Sequence, residues 1–318
     1  MLKQFIFLVI TLFLLSSDSA FSQQTPQTPD SSKPSAEFIS KAGIRRREYK
    51  ERFKDLAAEE IQKVEEYGSD GAVKRRREVV SDLIIYQSQT DDSATAMVEY
   101  RNVRLVDGKA VTERDRRAEK LFERLAKADS RKKELERIHR ESKRYDLNSS
   151  SYGSTLNQGL PLEESLTPSF LFTITGREQI AGRDVIVIDY QQVARIPGME
   201  NKLSLPEKLK GYEPQYRGRL WLDKDTARLW REERELILKH PALAKPLTFW
   251  RFEFSYADSR FDILTPKQIT ISTYTRGRDG ADGSPELLIG GKATFEYSGF
   301  RRFDVTSSDA QINSKSNQ

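Results

Sequence analysis

From Phe170 onward, apolar residues recur in short strand-like runs separated by turn residues. Phe170-Leu171-Phe172-Thr173-Ile174 runs to Gly176, and Gly182-Arg183 introduces Val185-Ile186-Val187-Ile188-Asp189-Tyr190. Gly218-Arg219-Leu220-Trp221-Leu222-Asp223 and the run ending at Trp230 flank a polar turn. Trp250-Arg251-Phe252-Glu253-Phe254-Ser255-Tyr256 alternates large aromatics with polar residues, and Ile269 to Tyr274 and Ala293 to Tyr297 follow in the same style. Side chains of a strand point alternately to its two faces, so this alternation reads as antiparallel strands with one apolar and one wet face. The regular spacing predicts a meander or barrel rather than a βαβ sheet.

The first half is less uniform. Between Arg45 and Tyr67 the residues Phe53, Leu56, Ile61 and Val64 fit a helix face or a strand. Gly68-Ser69-Asp70-Gly71 is a tight-turn signal and Val79 to Tyr86 beyond it is strand-like, which favours a hairpin there. Ala96 to Val106 ends at Asp107-Gly108 and reads as a third strand. Thr112 to about Leu147 changes period. Ala118, Leu121, Phe122, Leu125, Ala128, Leu135 and Ile138 recur every three or four residues among charges. That predicts an amphipathic helix, with a break open near Ala128-Asp129-Ser130. Asn148 to Gly159 reads as a loop.

The ends read differently. Lys3 precedes an apolar run from Phe5 to Leu15, and Ala20-Phe21-Ser22 is a small-x-small cleavage signal. The run is too short to span a bilayer, so residues 1–22 read as a cleaved leader and the location as periplasmic. Gln23 to about Ala36 has almost nothing to bury, and a disordered linker is expected over 23–44. One β-rich domain is expected over 45–306, with the helical insertion at about 112–147 and a disordered tail over 307–318.

Composition narrows the chemistry. The chain has no cysteine, which removes thiol and disulfide chemistry and most structural zinc sites. Lys and Arg number 53 against 48 Asp and Glu, a dense but nearly balanced surface that is no nucleic-acid footprint. Only two histidines occur, His139 on the charged helix and His240 before Pro241, and no G-x-S-x-G elbow is present. Neither histidine has a serine and an acid placed for a triad. Asp279 to Ser284 lacks EF-hand spacing and reads as a hairpin tip. Lys74-Arg75-Arg76-Arg77 reads as the wet end of a strand, with contact to anionic head groups as the alternative. No catalytic residue, metal or cofactor is expected.

The aromatic stripe carries the sharper reading. Phe170, Phe172, Trp221, Trp230, Trp250, Phe252, Phe254 and Phe295 are the expected wall residues, either of a core packed under the long helix or of an apolar cavity. Periodicity does not separate the two. The spaced strands, the Gly-x-x-x-Ile-x-Gly-Arg-x-Val segment at Gly176 to Val185, and Gly-Arg-Leu-Trp-Leu-Asp at Gly218 to Asp223 with Thr226 and Arg228 resemble the half-barrel superfamily of the LolA and LolB lipoprotein carriers and RseB-type regulators. The resemblance covers mainly Phe170 to Phe303 and more loosely Arg45 to Val106. It implies a curved antiparallel sheet, unclosed, with helices plugging its concave side. It also implies an apolar cavity for lipid or lipoprotein acyl chains and no catalytic residues. The expected fold class is therefore β-rich α+β with an amphipathic helical insertion packing on or beside the sheet. The expected function is non-covalent binding of a lipid or acyl chain in envelope transport or sensing. Its partners would be lipid and an envelope protein, with no nucleic acid. A protein-interaction module of the envelope and a carboxylate hydrolase are the alternatives.

Overall fold

The computed structural model describes residues 32–302 apart from 55, 90–94, 128–130, 148–154, 197–210, 242, 244 and 280–284. The expected leader, residues 23–31 of the linker, the tail and the tip beyond Asp279 lie outside the described residues. The helices are α1 (Ala36–Phe53), α2 (Arg114–Lys127) and α3 (Arg131–Ser142). The strands are β1 (Leu56–Tyr67), β2 (Val73–Gln89), β3 (Thr95–Val106), β4 (Lys109–Ala110), β5 (Phe170–Ile180) and β6 (Arg183–Gln192). They continue with β7 (Glu213–Asp223), β8 (Leu229–Lys239), β9 (Leu247–Asp258), β10 (Leu264–Asp279) and β11 (Pro285–Arg302).

All eleven strands form one antiparallel sheet in the order β4-β3-β2-β1-β11-β10-β9-β8-β7-β6-β5, with free edges at both ends. Only the β1–β11 pair joins strands distant in sequence. Two meanders, β1 to β4 and β5 to β11, are thus stitched into one surface. Two-residue turns set the register of several hairpins. Asp107-Gly108 and Ala181-Gly182 both have positive φ (49° and 76°, 50° and 75°), the handedness that matches strand twist.

The ladders align side chains into rows. Ile174, Ile188, Leu220, Glu232, Phe254, Ile269, Phe295 and Gln62 stand directly opposite one another across eight strands. The next row is Phe172, Tyr190, Gly218, Arg234, Phe252, Ile271, Ala293 and Val64. This is the inner face. Helix α1 lies along it, with Ile39 and Ala42 packed against Ile188, Leu220 and Phe170, and Tyr49 and Phe53 against Phe254 and Phe295.

Two expectations are corrected. Residues 36–44, expected as linker, begin α1: the Ser35 hydroxyl accepts from the Phe38 N–H at 3.1 Å, and Ile39, Ala42, Arg46, Tyr49 and Phe53 form one buried stripe. The stripe is hard to see because one of its members is an arginine. The insertion contains the helices α2, to Lys127, and α3, from Arg131, and the residues 128–130 where a break was left open lie outside the described residues. Finally, the insertion does not cover the aromatic stripe. Ala118, Leu121, Leu135 and Ile138 pack on Ala57, Ile84 and Tyr100, which alternate with the inner-face residues and so point the other way. α3 also shields the edge of β3, where the Ser142 hydroxyl accepts from the Arg101 N–H at 3.0 Å and donates to the Glu99 carbonyl at 3.3 Å.

Candidate functional site

Two arginines that no strand pattern would place inside occupy the inner face. Arg234 is 1% exposed, and its Nε–H donates to Glu232 Oε1 at 2.9 Å. Arg101 is 4% exposed and grips Glu60 with two hydrogen bonds, at 2.6 and 2.9 Å, while also donating to Glu99 at 3.3 Å. Burial by itself would weaken the charge of each guanidinium. The carboxylates beside them, Glu60 and Glu99 for Arg101 and Glu232 for Arg234, outweigh it and raise both pKa values. Removing charges from water costs several kcal/mol per ion, so such pairs persist only when every remaining hydrogen-bonding position is used.

Those positions hold a strap, residues 155–159, across the sheet. Arg234 donates to the Asn157 carbonyl at 2.5 Å, and Glu232 accepts from the Gly159 N–H at 2.6 Å. The Glu99 carboxylate accepts from both the N–H and the hydroxyl of Thr155. From α1, the Tyr49 hydroxyl donates to the Thr155 carbonyl at 3.1 Å and Arg46 Nε–H to the Gln158 carbonyl at 2.9 Å. Burial and then Glu232 push the Tyr190 phenol well up, and burial and then Glu99 do the same to Tyr49, so both stay protonated donors. The three carboxylates Glu60, Glu99 and Glu232 are engaged with arginine and with the strap. His139 sits on α3, and the His240 ring packs against that of Tyr212, tilted by 37° with ring centroids 4.7 Å apart.

The expected wall residues divide accordingly. Phe254 and Phe295 are fully buried beneath cations, the Arg234 guanidinium 5.0 Å from the Phe254 ring and that of Arg101 5.8 Å from Phe295. Phe252 lies 5.5 Å from Arg234, and half-buried Trp250 meets Phe252 edge-on. Trp230 is buried at the start of β8, its ring 5.9 Å from the Arg183 guanidinium. Trp221 leaves the set. Its register partners Val187 and Arg231 put it on the opposite face, where its indole N–H donates to Glu178 at 3.0 Å and Arg231 lies 4.5 Å over its ring.

Phe170 and Phe172 stand apart, because they open onto an apolar groove of about 480 Å³. It runs between the first half of α1, the segment 162–168 and the edge strand β5, and is lined by Ile39, Ile44, Leu162, Phe170, Leu171 and Phe172. Ile44 is 42% and Leu171 49% exposed, high for side chains of their kind. Lys33, Arg47 and Glu164 form its polar rim, the last two paired at 2.6 Å. Ser32 fixes the mouth by accepting the Ile174 N–H of β5 at 2.5 Å. Ile39, Ile44 and Leu162 were not among the expected residues. The Ser35 cap ahead of Phe38, Ile39 and Ala42 was the signal for α1 and so for Ile39 and Ile44, whereas no local signal marked Leu162.

The unclosed antiparallel sheet with a helix along one face is the architecture that the resemblance to the LolA and LolB half-barrels implied. No family model matches the chain, and no curated protein matches it. Among solved structures it is similar to a DUF1329 family protein from Desulfovibrio piger, at 13% identity and a TM-score of 0.32, covering 85% of this chain and 93% of that one. It is similar to a LolA superfamily protein from Nitrosomonas europaea at 9% identity and a TM-score of 0.29, covering 85% and 93%. It is also similar to the lipoprotein LppX of Mycobacterium tuberculosis at 12% identity and a TM-score of 0.28, covering 85% and 100%. None of these likenesses assigns a role to a residue of this chain.

Proposed function

We propose that this chain is a non-catalytic, exported binding protein that takes up a lipid or the acyl chain of a lipoprotein. The observation that carries the reading is the groove beside α1. Its volume of about 480 Å³ falls in the range of small-molecule sites, and its wall is apolar with charges only at the rim. Binding there needs burial and no chemistry. Eight methylenes moved from water into such a groove gain roughly 6 kcal/mol, before the cost of ordering the chain is subtracted. The leader-like residues 1–22 support export to the periplasm. The engagement of Glu60, Glu99 and Glu232 with arginines and strap atoms supports a structural role for them over acid–base chemistry.

The test is titration with the fluorescent fatty acid cis-parinaric acid, together with native mass measurement of protein purified from membranes. Saturable binding and a lipid-sized mass addition are expected. Phe172→Asp should weaken the titration at least tenfold, since burying one aromatic is worth about 1.5–3 kcal/mol. Unchanged binding in a folded Phe172→Asp variant would remove the groove as the site. A protein-interaction scaffold is the second reading, favoured by the packed centre of the inner face around Glu232, Arg234, Phe254 and Phe295. A clean unliganded mass and no titration would select it.

A further inference from the structure

The chain's charge is not spread evenly. α2 and α3 together carry eleven Lys and Arg against six Asp and Glu, a surplus of five. The whole chain has 53 against 48, also a surplus of five. Everything outside the two helices is therefore balanced, 42 against 42.

Within each helix basic residues line up on the solvent side, beside the exposed Glu119 and Glu123 of α2 and Glu136 of α3. On α2, Arg116, Lys120 and Arg124 recur every four residues and are exposed, while Ala118 and Leu121 are buried against the sheet. On α3, Lys133, Arg137 and Arg140, continued by Arg144 just beyond the helix, are spaced four, three and four apart, while Leu135 and Ile138 face the sheet. Positions three and four apart share a helix face, so each helix turns a basic stripe to solvent opposite its packed side. Repulsion along such stripes destabilises an isolated helix. Packing of the apolar side on Ala57, Ile84 and Tyr100 offsets that cost. Within the stripes Arg116 pairs with Glu113, Arg137 with Glu134 and Arg144 with Glu141, as Arg75 and Arg76 pair with Glu66 and Glu65 in the other basic run, so the stripe cations open to a ligand are the exposed Lys120, Arg124, Lys133 and Arg140.

We propose that the α2–α3 pair is a docking surface for a bilayer rich in anionic phospholipid. A doubly striped basic surface suits an array of phosphates. It lacks what other anionic partners need. The exposed large hydrophobics among the described residues, Ile44, Val73, Leu171, Val193 and Ile289, all lie elsewhere, so the surface has no apolar centre for a specific protein interface. Neither helix has an exposed aromatic among its described side chains on which bases could stack. Each Lys or Arg near an anionic surface contributes about 1 kcal/mol, and the attraction fades within a Debye length of roughly 8 Å at physiological salt. Contact is therefore reversible and confined to the headgroups.

The test is co-sedimentation of the full chain, lacking residues 1–22, with phosphatidylcholine vesicles with and without phosphatidylglycerol. Binding is expected only with phosphatidylglycerol, and it should disappear in high salt. The variant Lys120→Glu/Arg124→Glu/Lys133→Glu/Arg140→Glu should lose at least tenfold in affinity, whereas Lys74→Glu/Arg75→Glu should change it less than threefold. If the four charge reversals unfold the protein, the milder Lys120→Gln/Lys133→Gln/Arg140→Gln is used and should still lose severalfold. Equal binding to neutral vesicles, or retention of binding by the folded variants, overturns the proposal. So does binding to an acidic peptide or a nucleic acid without binding to the anionic vesicles.

Discussion

Asp223 shows how one side chain fixes a hairpin. Its Oδ1 accepts the N–H groups of Asp225 at 3.0 Å and Thr226 at 2.7 Å, closing the turn between β7 and β8. Burial would raise its pKa, but the hydrogen bonds from the Thr226 N–H and hydroxyl and the Asp225 N–H outweigh burial and hold it below the usual carboxylate range. A carboxyl lowered on folding contributes stability above its unfolded pKa and loses it as pH falls through the folded one. Asp223→Ala should cost about 1–2 kcal/mol at neutral pH in urea denaturation, with a smaller loss near pH 3. Asp223→Asn, which keeps the acceptor, should cost less and flatten the acid limb. Gly218, five residues earlier, answers to a different constraint. A Cβ there would meet the Glu233 carbonyl at 2.0 Å and the Tyr190 hydroxyl at 2.6 Å. Thus the sequence run Gly218 to Thr226 marks a hairpin and a close tyrosine–backbone contact rather than a ligand site.

At the scale of elements, α1 and the insertion exchange the roles their sequences suggest. The strongly amphipathic α2 and α3 lie on the far face and edge of the first meander, whereas the weakly patterned α1 covers the aromatic rows. α1 holds its place with few large anchors. Phe53 is fully buried, stacked on Tyr49 at 4.7 Å and 6.0 Å from Phe300. Phe53→Ala should therefore destabilise by about 3–5 kcal/mol, measured as a shift of the urea midpoint without change in slope. The hairpins were legible because turn residues and period-2 alternation are local properties. α1 was not, since its buried stripe includes Arg46, whose Nε–H and guanidinium are satisfied by Gln158 and Glu163 far along the chain.

Over the whole molecule, the two buried ion pairs join what the chain order separates. Arg234 and Glu232 tie the second meander to the strap, and Arg101, Glu60 and Glu99 tie the first. Arg234→Met strands a carboxylate and should cost about 3–5 kcal/mol, while adding Glu232→Gln removes the stranded charge and should recover part of that loss. A double-mutant cycle in urea denaturation measures the coupling, and strict additivity of the two changes would count against it.

The sequence by itself determined the strands, their turns, the alternation of faces and the amphipathic insertion, because each follows from spacing between near neighbours. It determined the residues of the aromatic stripe but not their surroundings. Only the tertiary structure decided that Trp221 faces away, that arginines cover Phe252, Phe254 and Phe295, and that the open apolar surface lies beside α1. The reason is physical. A cationic side chain becomes an interior residue only where distant carboxylates and carbonyls meet it, and a groove exists only between surfaces that the chain order does not place together.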